Sequence, residues 1–126
     1  NNLSERIKEI SAYWRCENFL TKPLATCSSG MKKTIALALV TLNNPTYLIL
    51  DEPFSSLDVV HIDILEQYLK KRRKNNLTTI LSTHLLLYAV ELSQNIYVLN
   101  NGLLKRFERN KDSDRKELHS LKKLLF

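Results

Sequence analysis

The chain has no apolar run of the roughly 20 residues that a membrane-spanning helix requires. Its apolar runs, such as Tyr47 to Leu50 and Leu85 to Val90, are short and bounded by polar residues. Any membrane role must therefore come through a partner. Cysteine is scarce: Cys16 and Cys27 have no metal-ligand spacing and read as reduced cytosolic thiols, with a disulfide as the weaker alternative. Glycine is scarcer than usual, and the two present, Gly30 and Gly102, are each expected to have a backbone role. Internal repeats and low-complexity segments are absent. The opening residues do not read as a signal peptide, and the chain opens Asn1-Asn2 without an initiator Met, as processing or a fragment would produce.

What is present is ordinary for a soluble globular protein: 126 residues, 44% hydrophobic and 25% charged, enough for one compact domain or a large piece of one. Net charge is +6, concentrated in Lys70-Lys71-Arg72-Arg73-Lys74 and in the tail after Lys105. Such a balance can mark a nucleic-acid or anionic-membrane surface. The first run closes a predicted helix, where cations complement the helix dipole, and the solvated-end reading is the better one.

Leu3, Ile7, Ile10 and Trp14 stand at helical spacing, with Ser4 near the start, and predict a helix over Leu3 to Trp14. Lys22-Pro23 breaks it and a loop follows. An Ala- and Leu-rich helix is expected from Ser28 to Leu42, ended by Asn43-Asn44-Pro45. Thr46 to Asp51 is continuously apolar until its final carboxylate, which suits a parallel strand buried on both faces. Asp58 to Lys74 reads as a helix with Val60, Ile64 and Tyr68 on one stripe and Leu65 and Leu69 beside it. Leu77 to Ser82 reads as a strand and His84 to Leu92 as a helix. Asn95 to Leu99 and Leu103 to Phe107 read as a hairpin around Asn100-Asn101-Gly102. Asp112 to Phe126 closes as a helix with Leu118, Leu121 and Leu125 in register. Strands alternating with helices make an α/β chain with right-handed parallel crossovers.

In an open α/β sheet, ligands bind beyond the carboxyl ends of the strands. Asp51 and Glu52 follow an apolar strand directly, so both carboxylates are expected at that edge. Asp51 suits Mg2+, a hard cation that prefers oxygen ligands and keeps several waters. Glu52 suits a base or a water-orienting group. The plain alternative is a pair that caps a strand and starts a turn. Asp58 is placed to cap the next helix. His84, just past the following strand, is expected at the same edge, where a neutral imidazole could bond a terminal phosphate or a water. Ser28 is a candidate cap for the Ala/Leu-rich helix, whose free N–H groups and dipole make an anion site, and Gly30 would allow close phosphate approach.

Together these residues resemble the ATP-binding cassette (ABC) family. Cys27-Ser28-Ser29-Gly30-Met31 looks like its signature motif, Leu48 to Glu52 like Walker B with the catalytic glutamate, Ser55 to Asp58 like the D-loop, and His84 like the switch histidine. The match covers nearly the whole chain up to about Arg106. The resemblance implies the C-terminal portion of an α/β P-loop NTPase fold, with a mainly parallel sheet, flanking helices and part of a helical subdomain. It divides the chain at about residues 1–45 (helical subdomain with the signature helix), 46–107 (catalytic core) and 108–126 (C-terminal helix). It implies an ATPase using ATP and Mg2+. Glu52 and His84 would be catalytic, Asp51 would hold Mg2+ through water, Ser28, Ser29 and Gly30 would contact ATP in trans, and Asp58 would lie at the dimer interface.

Two departures stand out. The signature is not Leu-Ser-Gly-Gly-Gln; its Ser-x-Gly-Met-Lys pattern resembles bacterial drug, bacteriocin or lantibiotic exporters. Leu85 follows His84 where the family often has Asp. A third feature is an absence: the sequence contains no G-x-x-x-x-G-K-[ST] run and no Q-loop, so a fragment that binds ATP poorly alone is expected. The implied partners are a second ABC ATPase subunit, identical or different, and a transmembrane permease at the cytoplasmic face of the membrane. No nucleic-acid partner is expected. The alternatives are a soluble ABC-type ATPase acting on ribosomes or nucleic acid, and a non-enzymatic remnant.

Overall fold

Asn2 caps the first helix. Its side chain accepts from the Ser4 N–H at 3.4 Å, and its own N–H reaches Glu5 at 3.3 Å, which completes a capping box. These details come from a computed structural model, which describes residues 2–109 and 114–125. It divides into two compact units, Asn1–Ser82 and Thr83–Phe126.

The first unit contains α1 (Leu3–Tyr13), α2 (Glu17–Leu20), a 3-10 turn (Leu24–Thr26), α3 (Ser29–Thr41), β1 (Tyr47–Asp51), α4 (Val59–Lys74) and β2 (Thr78–Ser82). The loop expected after Lys22 thus holds a 3-10 turn, and α2 was not foreseen. Trp14 ends α1 with 0% exposure, and its indole N–H donates to the Thr41 hydroxyl at 2.9 Å. That hydroxyl donates onward to the Leu37 carbonyl at 2.6 Å, so a buried polar group on α3 is satisfied on both sides. Tyr13, Trp14 and Tyr68 form an aromatic cluster with ring centroids 5.7 to 6.0 Å apart, which joins α1 to α4. Of the expected α1 stripe only Trp14 is buried; Ile10 is half-buried, and Leu3 and Ile7 are exposed. Cys16 and Cys27 are buried free thiols, and burial pushes the Cys16 thiol up.

β1 and β2 are parallel, in register from Tyr47 opposite Thr78 to Asp51 opposite Ser82, with α4 as the crossover. The expectation that β1 is buried on both faces is corrected. Leu48 and Leu50 are buried, but Tyr47 and Ile49 are 75% and 76% exposed. Ile80, beside Ile49 in the register, is exposed with them, because the described elements of this unit cover one face of the two-stranded sheet.

The basic run is also corrected at one position. Lys70, Lys71, Arg73 and Lys74 are exposed at the end of α4, but Arg72 is 1% exposed. Its guanidinium donates to the Thr79 hydroxyl (2.9 Å) and to the carbonyls of Pro45 (2.8 Å), Thr46 (3.3 Å) and Thr78 (2.9 Å). It joins the entry of β1 to the entry of β2. The opposite end of β1 carries the acids.

The second unit contains α5 (Leu86–Leu92), β3 (Ile96–Asn100), β4 (Leu103–Phe107) and α6 (Asp114–Leu125). Val90, Ile96, Val98 and Leu121 form its core, with Leu86, Phe107 and Leu118 against it. β3 and β4 are antiparallel, with Asn100 opposite Leu103. Asn101 and Gly102 both have positive φ (50° and 75°), the requirement of a type I′ hairpin turn that the Asn-Gly pair signalled. The Arg109 guanidinium closes the unit by donating to the carbonyls of Val90 and Ser93 at the end of α5. The expected helix ends at Asp112 and Phe126, and the side chain of Leu125, lie outside the described residues. Among the described residues, no helix is long and apolar enough to cross a membrane.

Candidate functional site

Asp51 is the last residue of β1 and faces Ser82, the last residue of β2. The Ser82 hydroxyl donates to Asp51 Oδ1. The strand then stops abruptly: Glu52 has φ 42°, in the left-handed region that L-residues avoid. Its N–H is shared between the carbonyl and the hydroxyl of Ser82, both at 3.2 Å. The Glu52 carbonyl accepts the backbone N–H of Ser55 at 3.2 Å and its hydroxyl at 2.9 Å, which closes a tight turn. Pro53 and Phe54 anchor that turn in the core, Phe54 with 2% exposure. The Glu52 side chain is half-buried, and Asp51 is exposed.

Asp58 ends the loop as the N-cap of α4. Its carboxylate accepts the His61 backbone N–H at 2.9 Å and lies 2.8 Å from His61 Nδ1. Those bonds, the backbone one foremost, hold the Asp58 carboxyl below the ordinary carboxylate range.

The start of α3 lies against this loop. Ser28 is the N-cap, and its hydroxyl accepts the Met31 N–H at 3.2 Å. Ser29 opens the helix and is exposed. A Cβ on Gly30 would stand 2.6 Å from the Ser56 carbonyl oxygen, so a glycine is needed there for the loop backbone to pass. Ser56 itself has φ 64°. Lys33, one turn on, donates from Nζ to the Asp51 carbonyl at 3.3 Å.

The structure therefore brings Gly30, Lys33, Asp51, Glu52, Ser56 and Ser82 together within the first unit. His84 falls in the second unit. It lies in a bend rather than in the expected helix: α5 begins at Leu86, and the Thr83 hydroxyl accepts the Leu85 N–H at 3.1 Å instead. Ser82 and Lys33 were not singled out from the sequence. Ser82 becomes visible only once the strand register is known. Lys33 shows no more than the spacing of one helical turn from Gly30.

The exposed Asp51 carboxylate at the end of β1 suits a hard divalent cation. Among the described residues, no group of three or more His, Cys, Asp or Glu stands together as a cage. A Mg2+ bound through one carboxylate, waters and phosphate oxygens needs no such cage.

Comparison with known proteins supports one family. The family model described as ABC transporter matches residues 1–55. The chain is 35% identical over 101 residues to the spermidine/putrescine import ATP-binding protein of Hahella chejuensis, covering 79% of this chain and 28% of that protein. It is 32% identical over 104 residues to the zinc import ATP-binding protein of Rickettsia conorii, covering 82% of this chain and 45% of that protein. It is 32% identical over 100 residues to the energy-coupling factor transporter ATP-binding protein of Methanococcus maripaludis, covering 79% and 36%. The chain spans about a fifth to just under half of the length of the curated relatives it matches.

Proposed function

Taking the chain as part of an ATP-binding cassette ATPase domain, as the family match and these relatives support, we propose that it supplies the hydrolysing half of an ATP site. The observation that carries this reading is the end of β1, where Asp51 and Glu52 are both tied to Ser82 and the start of α3 lies alongside. Asp51 would hold Mg2+ through water. Glu52, half-buried and turned out of the strand, orients the attacking water and takes its proton. His84 bonds the terminal phosphate. Mg2+, when bound, neutralises charge on the phosphate oxygens. Ser28, Ser29 and Gly30 present the N-terminus of α3 to the nucleotide of a second ABC ATPase subunit, and Asp58 lies at that interface.

The assembly works with a transmembrane permease at the cytoplasmic face of the membrane, with about residues 1–45 as helical subdomain, 46–107 as catalytic core and 108–126 as a closing helix. The Ser-x-Gly-Met-Lys pattern favours export. Import is the second reading, favoured by the relatives named for spermidine/putrescine and zinc import. These 126 residues alone bind MgATP weakly and do not turn it over, because they include no phosphate-cradling G-x-x-x-x-G-K-[ST] run.

The test is Glu52→Gln in the assembled ATPase. ATP binding should persist while hydrolysis falls by about 10²–10⁴-fold. Undiminished turnover would remove Glu52 from its role.

A further inference from the structure

We propose that Ser82 is a positioning residue for Asp51 and Glu52, setting the carboxylate of the first and the backbone of the second through a single hydroxyl. The inference rests on the reading of those two acids as the hydrolysing pair. The hydroxyl has one proton and donates it to Asp51 Oδ1, which fixes the rotation of that carboxylate. A lone pair of the same oxygen accepts the Glu52 N–H at 3.2 Å, beside the Ser82 carbonyl at 3.2 Å. Glu52 adopts φ 42°, in the left-handed region that L-residues avoid. It therefore needs partners that hold it there, and both acceptors of its N–H come from Ser82.

The chemistry of the position points the same way. Ser82 ends an exposed strand position, where a β-branched residue would favour the strand more. Its neighbour Thr83 serves its own segment, accepting the Leu85 N–H. The Ser82 hydroxyl instead crosses to the end of β1, and the register that places it there pairs it with Asp51.

The experiment compares Ser82→Ala, Ser82→Thr and Glu52→Gln in the assembled ATPase with its partner subunit. Ser82→Ala should lower kcat about tenfold, the scale of one hydrogen bond to a charged group, and raise the Mg2+ concentration needed for half-maximal turnover. ATP binding measured without Mg2+ should stay unchanged. Ser82→Thr keeps the hydroxyl and should recover turnover to within about twofold. In the same protein without nucleotide, hydrogen exchange at the Glu52 amide should accelerate in Ser82→Ala and not in Ser82→Thr.

If Glu52→Gln abolishes hydrolysis while Ser82→Ala matches the unsubstituted protein in turnover and Mg2+ requirement, the positioning role is overturned and the site stands. Equal impairment of the Ala and Thr variants overturns it too, since the hydroxyl is then not the agent. If Glu52→Gln leaves turnover intact, the underlying site reading fails first. Faster Glu52 exchange in Ser82→Ala would then mark a purely structural bond, and the proposal falls with the site.

Discussion

Replacing Arg72 should cost more stability than any other change in the basic run. Its guanidinium is buried and makes four hydrogen bonds, three of them to main-chain carbonyls at the entries of β1 and β2. The Thr46 carbonyl keeps a second donor, the Thr78 N–H at 3.0 Å, so its loss is partly compensated. The Pro45 and Thr78 carbonyls each lose a charged donor. A hydrogen bond to a charged group is worth about 1.5–3 kcal/mol net, and bonds from one guanidinium are not additive. The stem also packs beside Tyr68, with the guanidinium carbon 5.8 Å from the ring centroid.

Arg72→Ala should therefore destabilise by about 3–5 kcal/mol, out of a total that is commonly about 5–15 kcal/mol. Arg72→Met, which keeps the stem and loses the fork, should recover the packing part only. Lys74→Ala, at an exposed position, should change stability by less than about 0.5 kcal/mol. Urea denaturation followed by fluorescence suits the measurement, because Trp14 is the only tryptophan and is fully buried. With a slope of about 1–3 kcal/mol per molar urea, the Arg72→Ala midpoint should fall by roughly 2 M. A midpoint shift no larger than that of Lys74→Ala would refute the buried-staple reasoning and return Arg72 to the solvated helix end.

Asp58→Ala removes the N-cap of α4 and should cost about 1 kcal/mol in the same assay. The Asp58 carboxyl titrates lower in the folded chain than in the unfolded one, so its charge stabilises the fold above the ordinary carboxylate range. That contribution is lost as pH falls through the lowered folded value. Asp58→Asn keeps a cap acceptor without the charge, so its deficit against the unsubstituted chain should shrink on acidification; a deficit that widens would reverse the sign argued here. Gly30→Ala places a methyl against the Ser56 carbonyl, where a Cβ would stand 2.6 Å away. Backbone must move, at about 1–3 kcal/mol, and amide shifts in a two-dimensional NMR spectrum should change at Ser55 to Asp58. Changes confined to the first turn of α3 would count against that contact.

Much of this was legible in the sequence because local chemistry decides it. The apolar run ending in Asp51 reads as a strand, Asn101-Gly102 as the turn of the β3–β4 hairpin, and Ser28 and Asp58 as caps, each from residues within a few positions. What depends on neighbours distant in sequence was not legible. A continuously apolar strand reads the same whether one face or two is covered, so the exposure of Tyr47 and Ile49 had no signature. Arg72 did have one. It stands seven residues after the buried Leu65 and three after the buried Leu69, on the stripe that α4 turns inward. Five consecutive cations obscured a spacing that would have separated one of them from the rest.

Adjacency in sequence also says too little about Asp51 and Glu52. In an extended strand, successive side chains point to opposite faces. Asp51 follows Tyr47 and Ile49 on the exposed face, so an unbroken strand would send Glu52 after Leu48 and Leu50 into the apolar layer. An ionised carboxylate there would carry a heavy desolvation penalty. The left-handed turn at Glu52 avoids that outcome, at the cost of a strained backbone that Ser82 and the Ser55 turn hold in place. Two acids can thus serve one edge of the sheet because the strand is broken between them. That break is written as much in Ser82, thirty residues on, as in the acids themselves.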